Sequence, residues 1–145
     1  MPTKLLVIDD DSAVTELLSL LLKSHGYDVM AVNSGPDGIG LLREKKVDLI
    51  ILDLMMPDMD GWEVCKEVRK FSSVPIIILS ALNDPAMIAS ILDAGADDYL
   101  TKPASSSVLV AHIKQLVRRT GTGNLHTTGP LLPKEISGTR PFFQR

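Results

Sequence analysis

The chain is predicted to fold as a doubly wound α/β domain on a parallel sheet, and three observations lead there. Apolar runs of strand length alternate five times with stretches of helical periodicity, the pattern of strands joined by crossover helices. The central runs Leu49-Ile50-Ile51-Leu52 and Ile76-Ile77-Ile78-Leu79 are apolar at every position, as strands covered on both faces must be. Polar residues stand where four of the runs stop: Asp9 and Asp10 after Leu5–Ile8, Asp53 after Leu49–Leu52, Ser80 after Ile76–Leu79, and Lys102 shortly after Tyr99–Leu100.

Each element carries its own signals. Leu5–Ile8 is the first strand. Ser12 is expected to cap the first helix, whose stripe Val14, Leu17, Leu18, Leu21, Leu22 repeats at helical spacing and ends at Gly26. The second strand, Asp28–Val32, is short and mixed, which suits a sheet edge. Ser34 and Pro36 open the second helix, in which Gly38 and Gly40 each cost roughly 1 kcal/mol relative to alanine, so it is expected to be the weakest. Asp60 with Glu63 forms a capping box for the third helix. Asp84 followed by Pro85 starts the fourth, and Gly95 closes it. The fifth helix is predicted from about Ser106 to Arg119, its terminal basic pair complementing the helix dipole. Beyond it Gly, Thr and Pro recur, so residues 1–119 read as the domain and 120–145 as a linker or tail, with Phe142 and Phe143 its only strongly apolar feature.

The bulk numbers agree. At 145 residues, 45% hydrophobic and 23% charged, the chain suffices for one domain with a core. Its net charge of −3 gives no bias toward nucleic acid. No apolar run is long enough to cross a bilayer. The single cysteine, Cys65, cannot form an internal disulfide and is expected to be a small buried apolar residue. A cytoplasmic protein with no membrane contact is the expectation.

In an open parallel sheet the carboxyl ends of neighbouring strands share one edge, where ligands bind. Asp9, Asp10, Asp53, Ser80 and Lys102 should therefore meet in one pocket. Three crowded carboxylates resist ionising together. A hard divalent cation relieves that conflict, and Mg²⁺ (with Mn²⁺ as substitute) suits a site of few carboxylates and several waters. Asp10 and Asp53 are the expected direct ligands, Asp9 binds directly or through water, and the Met55 backbone carbonyl is a plausible further ligand. Lys102 would pair with a carboxylate at rest and with a phosphoryl oxygen when one is present, and Ser80 could donate to the same oxygen. The Lys102–Pro103 bond is a candidate cis peptide. Singly, each residue has an ordinary explanation, such as Asp9-Asp10-Asp11 forming a capping turn; jointly they point to metal and phosphoryl chemistry.

The segments Leu5–Asp11 (LLVIDDD), Asp48–Gly61 (DLIILDLMMPDMDG), Val74–Ala81 (VPIIILSA) and Gly95–Pro103 (GADDYLTKP) make the chain resemble, from residue 4 to about 119, the receiver domain of bacterial two-component response regulators. The resemblance implies the flavodoxin-like (βα)5 arrangement with strand order 2-1-3-4-5. It further implies that Asp53 is the phosphoacceptor, taking a phosphoryl group from a phosphohistidine on a sensor histidine kinase with Mg²⁺, Lys102 and Ser80 assisting. Ser80 and Tyr99 would act as the switch, reshaping the face made by the fourth helix, fifth strand and fifth helix. That face would serve a homodimer or a downstream effector domain or protein. Such a protein assists its own phosphorylation and dephosphorylation without being an enzyme in the turnover sense.

Several positions depart from the family pattern. Met55 and Leu82 are apolar where the family controls water access to the phosphoryl group, which predicts slow self-dephosphorylation. Val108, His112 and Ser90 replace charged residues of the dimer face; Asp97, Asp98 and Arg118 remain from that ionic set, and a dimer would lean on Val108 and Leu109. The stretch Arg118–Leu131 resembles a linker to a DNA-binding domain, but too few residues follow to form one. The chain thus reads as a truncated or stand-alone receiver with no direct nucleic-acid binding. A haloacid-dehalogenase-like phosphatase would need a second Asp where Met55 stands. A degenerate receiver acting as a constitutive binding module would lack one of the pocket residues. A flavodoxin would place three aspartates against the flavin phosphate.

Overall fold

The computed structural model describes residues 2–126. The chain divides into two units, residues 1–113, which hold the whole sheet, and residues 114–145. In chain order the elements are β1 (Lys4–Ile8), α1 (Ser12–Ser24), β2 (Asp28–Val32), α2 (Gly35–Glu44), β3 (Leu49–Leu52), α3 (Gly61–Arg69), β4 (Ile76–Ser80), α4 (Pro85–Asp93), β5 (Asp98–Thr101) and α5 (Ser106–His126). The five strands form one parallel sheet in the order β2-β1-β3-β4-β5. The doubly wound arrangement is the one expected, with β2 at an edge.

The apolar runs explain the burial. Leu5, Leu6, Ile8, all of β3 and Ile76–Ile78 are buried, and each such side chain contributes roughly 1.5–3 kcal/mol relative to exposure. Gly38 has a packing reason that its sequence context hides: a Cβ there would strike the Ile8 side chain. The absent methylene that weakens α2 locally lets that helix lie close on β1.

Caps formed largely as predicted. Ser34 accepts from the Asp37 N–H, Asp60 and Glu63 complete a capping box, and Asp84 caps α4 ahead of Pro85. Gly95 adopts a positive φ of 124° just past α4. Two expectations need correction. The N-cap of α1 is Asp11, whose carboxylate accepts from the Ala13 N–H at 3.0 Å, and Ser12 is the first helical residue; a carboxylate caps at least as well as a hydroxyl. The last helix runs to His126 and not to Arg119, because no proline intervenes and Gly121 and Gly123 weaken a helix without forbidding it. Arg118 and Arg119 are therefore interior to α5 and do not complement its terminus. Phe142 and Phe143 lie outside the described residues.

Arg69, at the end of α3, was not singled out by sequence. Its guanidinium donates to the carbonyls of Gly95 (2.8 and 3.0 Å), Val74 (2.7 Å) and Ser72 (3.2 Å) and to the Asp97 carboxylate (3.0 Å). Asp97 also accepts from the Ile76 N–H at 2.8 Å. This cluster ties α3 to the amino-terminal ends of β4 and β5, the edge of the sheet opposite Asp53.

Candidate functional site

Strand register brings the polar residues to one edge. Ile8 pairs with Leu52 and Ser80 with Thr101. The Asp53 N–H donates to the Ile8 carbonyl at 3.0 Å and the Lys102 N–H to the Ser80 carbonyl at 2.8 Å. Gly61 lets the start of α3 close over this edge: a Cβ there would lie 2.8 Å from the Asp53 carbonyl oxygen and the Leu54 Cα. The five residues predicted to converge do so.

Lys102 Nζ stands 2.8 Å from Asp9 Oδ2 and 3.6 Å from Asp53 Oδ2. Asp9, Asp10 and Asp53 each offer an oxygen, all within 4.8 Å of one another. Asp9, Asp53 and Ser80 are buried and Asp10 is exposed. Both Asp9 oxygens are engaged, Oδ2 by Lys102 and Oδ1 by the Asp11 N–H at 2.9 Å. Among the described residues the Asp10 carboxylate has no hydrogen-bond or ion-pair partner. The donor set fits a hard divalent cation: three carboxylates, too few for a dehydrated cage, with coordination positions left for water, as Mg²⁺ prefers. The Lys102–Pro103 bond is cis.

The electrostatics follow from burial. Desolvation raises the Asp53 carboxyl above the ordinary carboxylate range; the Lys102 charge opposes it, the Asp9 charge reinforces it, and the Met55 N–H and Ser80 hydroxyl pull it back. For Lys102, burial pulls downward, but the Asp9 hydrogen bond and the charges of Asp53 and Asp9 outweigh it and the ammonium ends above its usual value. The pocket is thus a half-compensated acid cluster with a firmly protonated lysine.

Ser80 and Tyr99 are joined through a residue whose backbone the sequence did not flag. Ser80 Oγ accepts from the Leu82 N–H at 3.3 Å, and the Tyr99 hydroxyl donates to the Leu82 carbonyl. Tyr99 packs on the core. Its phenol is raised first by burial, with the Ser80 hydroxyl lowering it and the Asp53 charge raising it. Met55 is 59% exposed beside Asp53, and its N–H reaches Asp53 Oδ1 at 3.4 Å. A cleft of about 460 Å³ opens next to it, bounded by Leu54, Met55, Met56, Pro57, Asp60 and Trp62. Trp62 donates its indole N–H to Ser90 Oγ on α4 at 3.1 Å.

One residue and one pairing were missed. Asn33, just past β2, donates its amide to the Asp9 carbonyl at 2.8 Å and to Thr15 Oγ1 at 3.1 Å; an Asn ending a strand beside β1 was the available signal. His112 Nδ1 contacts Asp98 Oδ2, joining the first turns of α5 to β5, while Asp98 Oδ1 accepts from the Tyr99 N–H at 2.8 Å. Asp97 and Asp98, counted as survivors of an intermolecular ionic set, are therefore partnered inside the fold. Leu109 is buried and unavailable as a dimer contact, whereas Val108 is exposed, as are Met87 and Leu92 on α4.

Comparison with known proteins agrees with this geometry. Residues 5–114 match the response regulator receiver domain family. The chain is 46% identical over 119 residues to the transcriptional regulatory protein AfsQ1 of Streptomyces coelicolor, covering 82% of this chain and 52% of that protein. It is 41% identical over 130 residues to the probable transcriptional regulator ycf27 of Guillardia theta, covering 87% and 51% respectively. The chain spans about half the length of these relatives. Among solved structures, a two-component response regulator from Clostridium difficile superposes with a TM-score of 0.79 at 34% identity, covering 81% of this chain and 98% of that one. The receiver domain of Francisella response regulator 1452 gives 0.77 at 35% identity with the same coverage. With the strand order, the acidic pocket and these matches in agreement, the chain belongs to the response regulator receiver domain family of two-component systems.

Proposed function

We propose that Asp53 accepts a phosphoryl group from a phosphohistidine of a sensor histidine kinase and that the resulting aspartyl phosphate is the signal this domain transmits. Receiver domains are signalling domains that generally bind Mg²⁺ at an acidic pocket. Here Asp10 and Asp53 would hold the ion directly with the Met55 carbonyl, and Asp9, whose oxygens are already engaged, through water. When bound, Mg²⁺ supplies positive charge against the carboxylates and the transferring oxygens. The single observation that carries the reading is Lys102 Nζ at 2.8 Å from Asp9 and 3.6 Å from Asp53.

In the transfer, an Asp53 carboxylate oxygen bonds to phosphorus as the phosphorus–nitrogen bond of the donor breaks, and the imidazole keeps the electron pair. Lys102 is placed to exchange its Asp9 contact for a phosphoryl oxygen, a short move for a flexible ammonium. Ser80 can release its contact with the Leu82 N–H and donate to the same oxygens. That displacement would free Leu82 and Tyr99 to reorganise, a local charge event biasing a two-state element. The readout face is α4-β5-α5, serving a second copy or a downstream effector domain or protein. Residues 1–119 would form the receiver, with 120–145 as linker or tail, acting in the cytoplasm.

Intact mass after incubation with acetyl phosphate and Mg²⁺ tests the reading. Wild type should gain the mass of one phosphoryl group, and Asp53→Asn should not. Equal labelling of both, or of neither, removes Asp53 from the role.

A further inference from the structure

We infer that Asn33 is a positioning residue for the metal-binding turn, fixing through the Asp9 main chain where the Asp10 carboxylate points. The inference rests on the reading of Asp10 as a Mg²⁺ ligand. Asp10 has no side-chain partner among the described residues, so only its backbone sets its direction. The peptide that joins it to Asp9 is held on its carbonyl side by the Asn33 amide at 2.8 Å. The same amide donates to Thr15 Oγ1 at 3.1 Å, and Thr15, buried in α1, donates to the Ser12 carbonyl at 3.1 Å.

The turn is thus clamped from three directions. On its sheet side the Asp9 N–H donates to the Val32 carbonyl at 3.3 Å. On its helix side Asp11 caps α1 and donates its N–H to Asp9 Oδ1. On its outer side Asn33 spans from the end of β2 to both Asp9 and α1. Removing the amide leaves the Asp9 carbonyl without that donor and lets the Asp9–Asp10 peptide rotate. The Asp10 carboxylate then no longer has a fixed place within 4.8 Å of the oxygens of Asp9 and Asp53. Partners that orient a ligand from outside the coordination sphere govern metal affinity in this way. Asn33 itself is exposed, so its loss should leave the core intact.

Calorimetric Mg²⁺ titration of the full chain, with urea unfolding in metal-free buffer alongside, tests this. Asn33→Ala should weaken Mg²⁺ binding roughly tenfold while moving metal-free stability little. Thr15→Val, which keeps the shape and removes the hydroxyl that orients the amide, should weaken it by a smaller factor. Ser34→Ala, which uncaps α2 next door without touching Asp9, should keep wild-type affinity. Wild-type affinity in folded Asn33→Ala overturns the inference, as does an equal loss in Ser34→Ala. If Asp10→Asn abolishes binding while Asn33→Ala binds as tightly as wild type, the site reading stands and the positioning role falls. A wild type that takes up no Mg²⁺ overturns both.

Discussion

Lys102 Nζ donates to Asp9 Oδ2 at 2.8 Å across a separation of 93 residues, so the last strand end of the sheet neutralises the first. The acid this leaves less compensated is Asp53, at 3.6 Å from the same ammonium.

That imbalance sets a pH dependence. Burial raises Asp53 above its unfolded value, so the folded state disfavours its charged form. The stability linked to this group is complete below the unfolded carboxylate pKa and is lost as pH rises through the folded one. Asp53→Asn, uncharged at every pH, should therefore be more stable than wild type at neutral pH in metal-free buffer, by about 1 kcal/mol. The gain should vanish in acid. Urea unfolding of both proteins from acid to neutral pH measures it, and a constant difference would contradict the stated origin.

Arg69 should matter to the fold and not to the site. It donates to three carbonyls and to Asp97, and truncation leaves those acceptors and one carboxylate without their partner. Arg69→Ala is expected to cost about 2–4 kcal/mol. Mg²⁺ affinity, measured below the denaturation midpoint, should stay at the wild-type value because the cluster lies at the opposite edge of the sheet.

Met55 is expected to influence how long a phosphoryl group carried by Asp53 would last. Its side chain is exposed beside Asp53 and cannot orient a water by hydrogen bonding. Met55→Asn should shorten the aspartyl-phosphate lifetime several-fold, followed by loss of label after gel filtration. Stability should change by less than about 0.5 kcal/mol, as for other surface substitutions. An unchanged lifetime would detach Met55 from the chemistry.

Cys65 is fully buried and its thiol is pushed up to about 11, chiefly by desolvation, with the Arg69 charge opposing and the Asp97 charge reinforcing. At pH 8 it should react with a disulfide reagent only after urea is added. Because the unfolded thiol ionises first, the stability tied to this group should decline as pH rises from about 9 toward about 11. Rapid labelling of the native protein at pH 8 would contradict the burial.

The layout of the sheet was legible because strands buried on both faces leave uninterrupted apolar runs, and because their polar terminators mark one edge. Caps at Ser34, Asp60 and Asp84 were legible for a similar reason: the signal is local. What escaped depends on pairing across space. Nothing near Asn33 in sequence announces Asp9 as its partner, and the reach of Arg69 to Gly95 is invisible until α3 and β5 are brought together. The internal partners of Asp97 and Asp98 were hidden for the same cause, since a surface acid and an internally bridged one look alike in one dimension. Gly38 was read through helix propensity when its contact with Ile8 decides it. The helix end at Arg119 failed because glycine lowers helix stability without imposing a stop.

Leu82 holds Ser80 with its N–H and Tyr99 with its carbonyl, two groups flanking one α-carbon. Two torsion angles therefore govern both attachments. The serine and the tyrosine are attached to the two peptide groups of one residue, so a displacement of Leu82 as a body would disturb both contacts. A message leaving the acid cluster by this route would pass through the main chain of a single leucine.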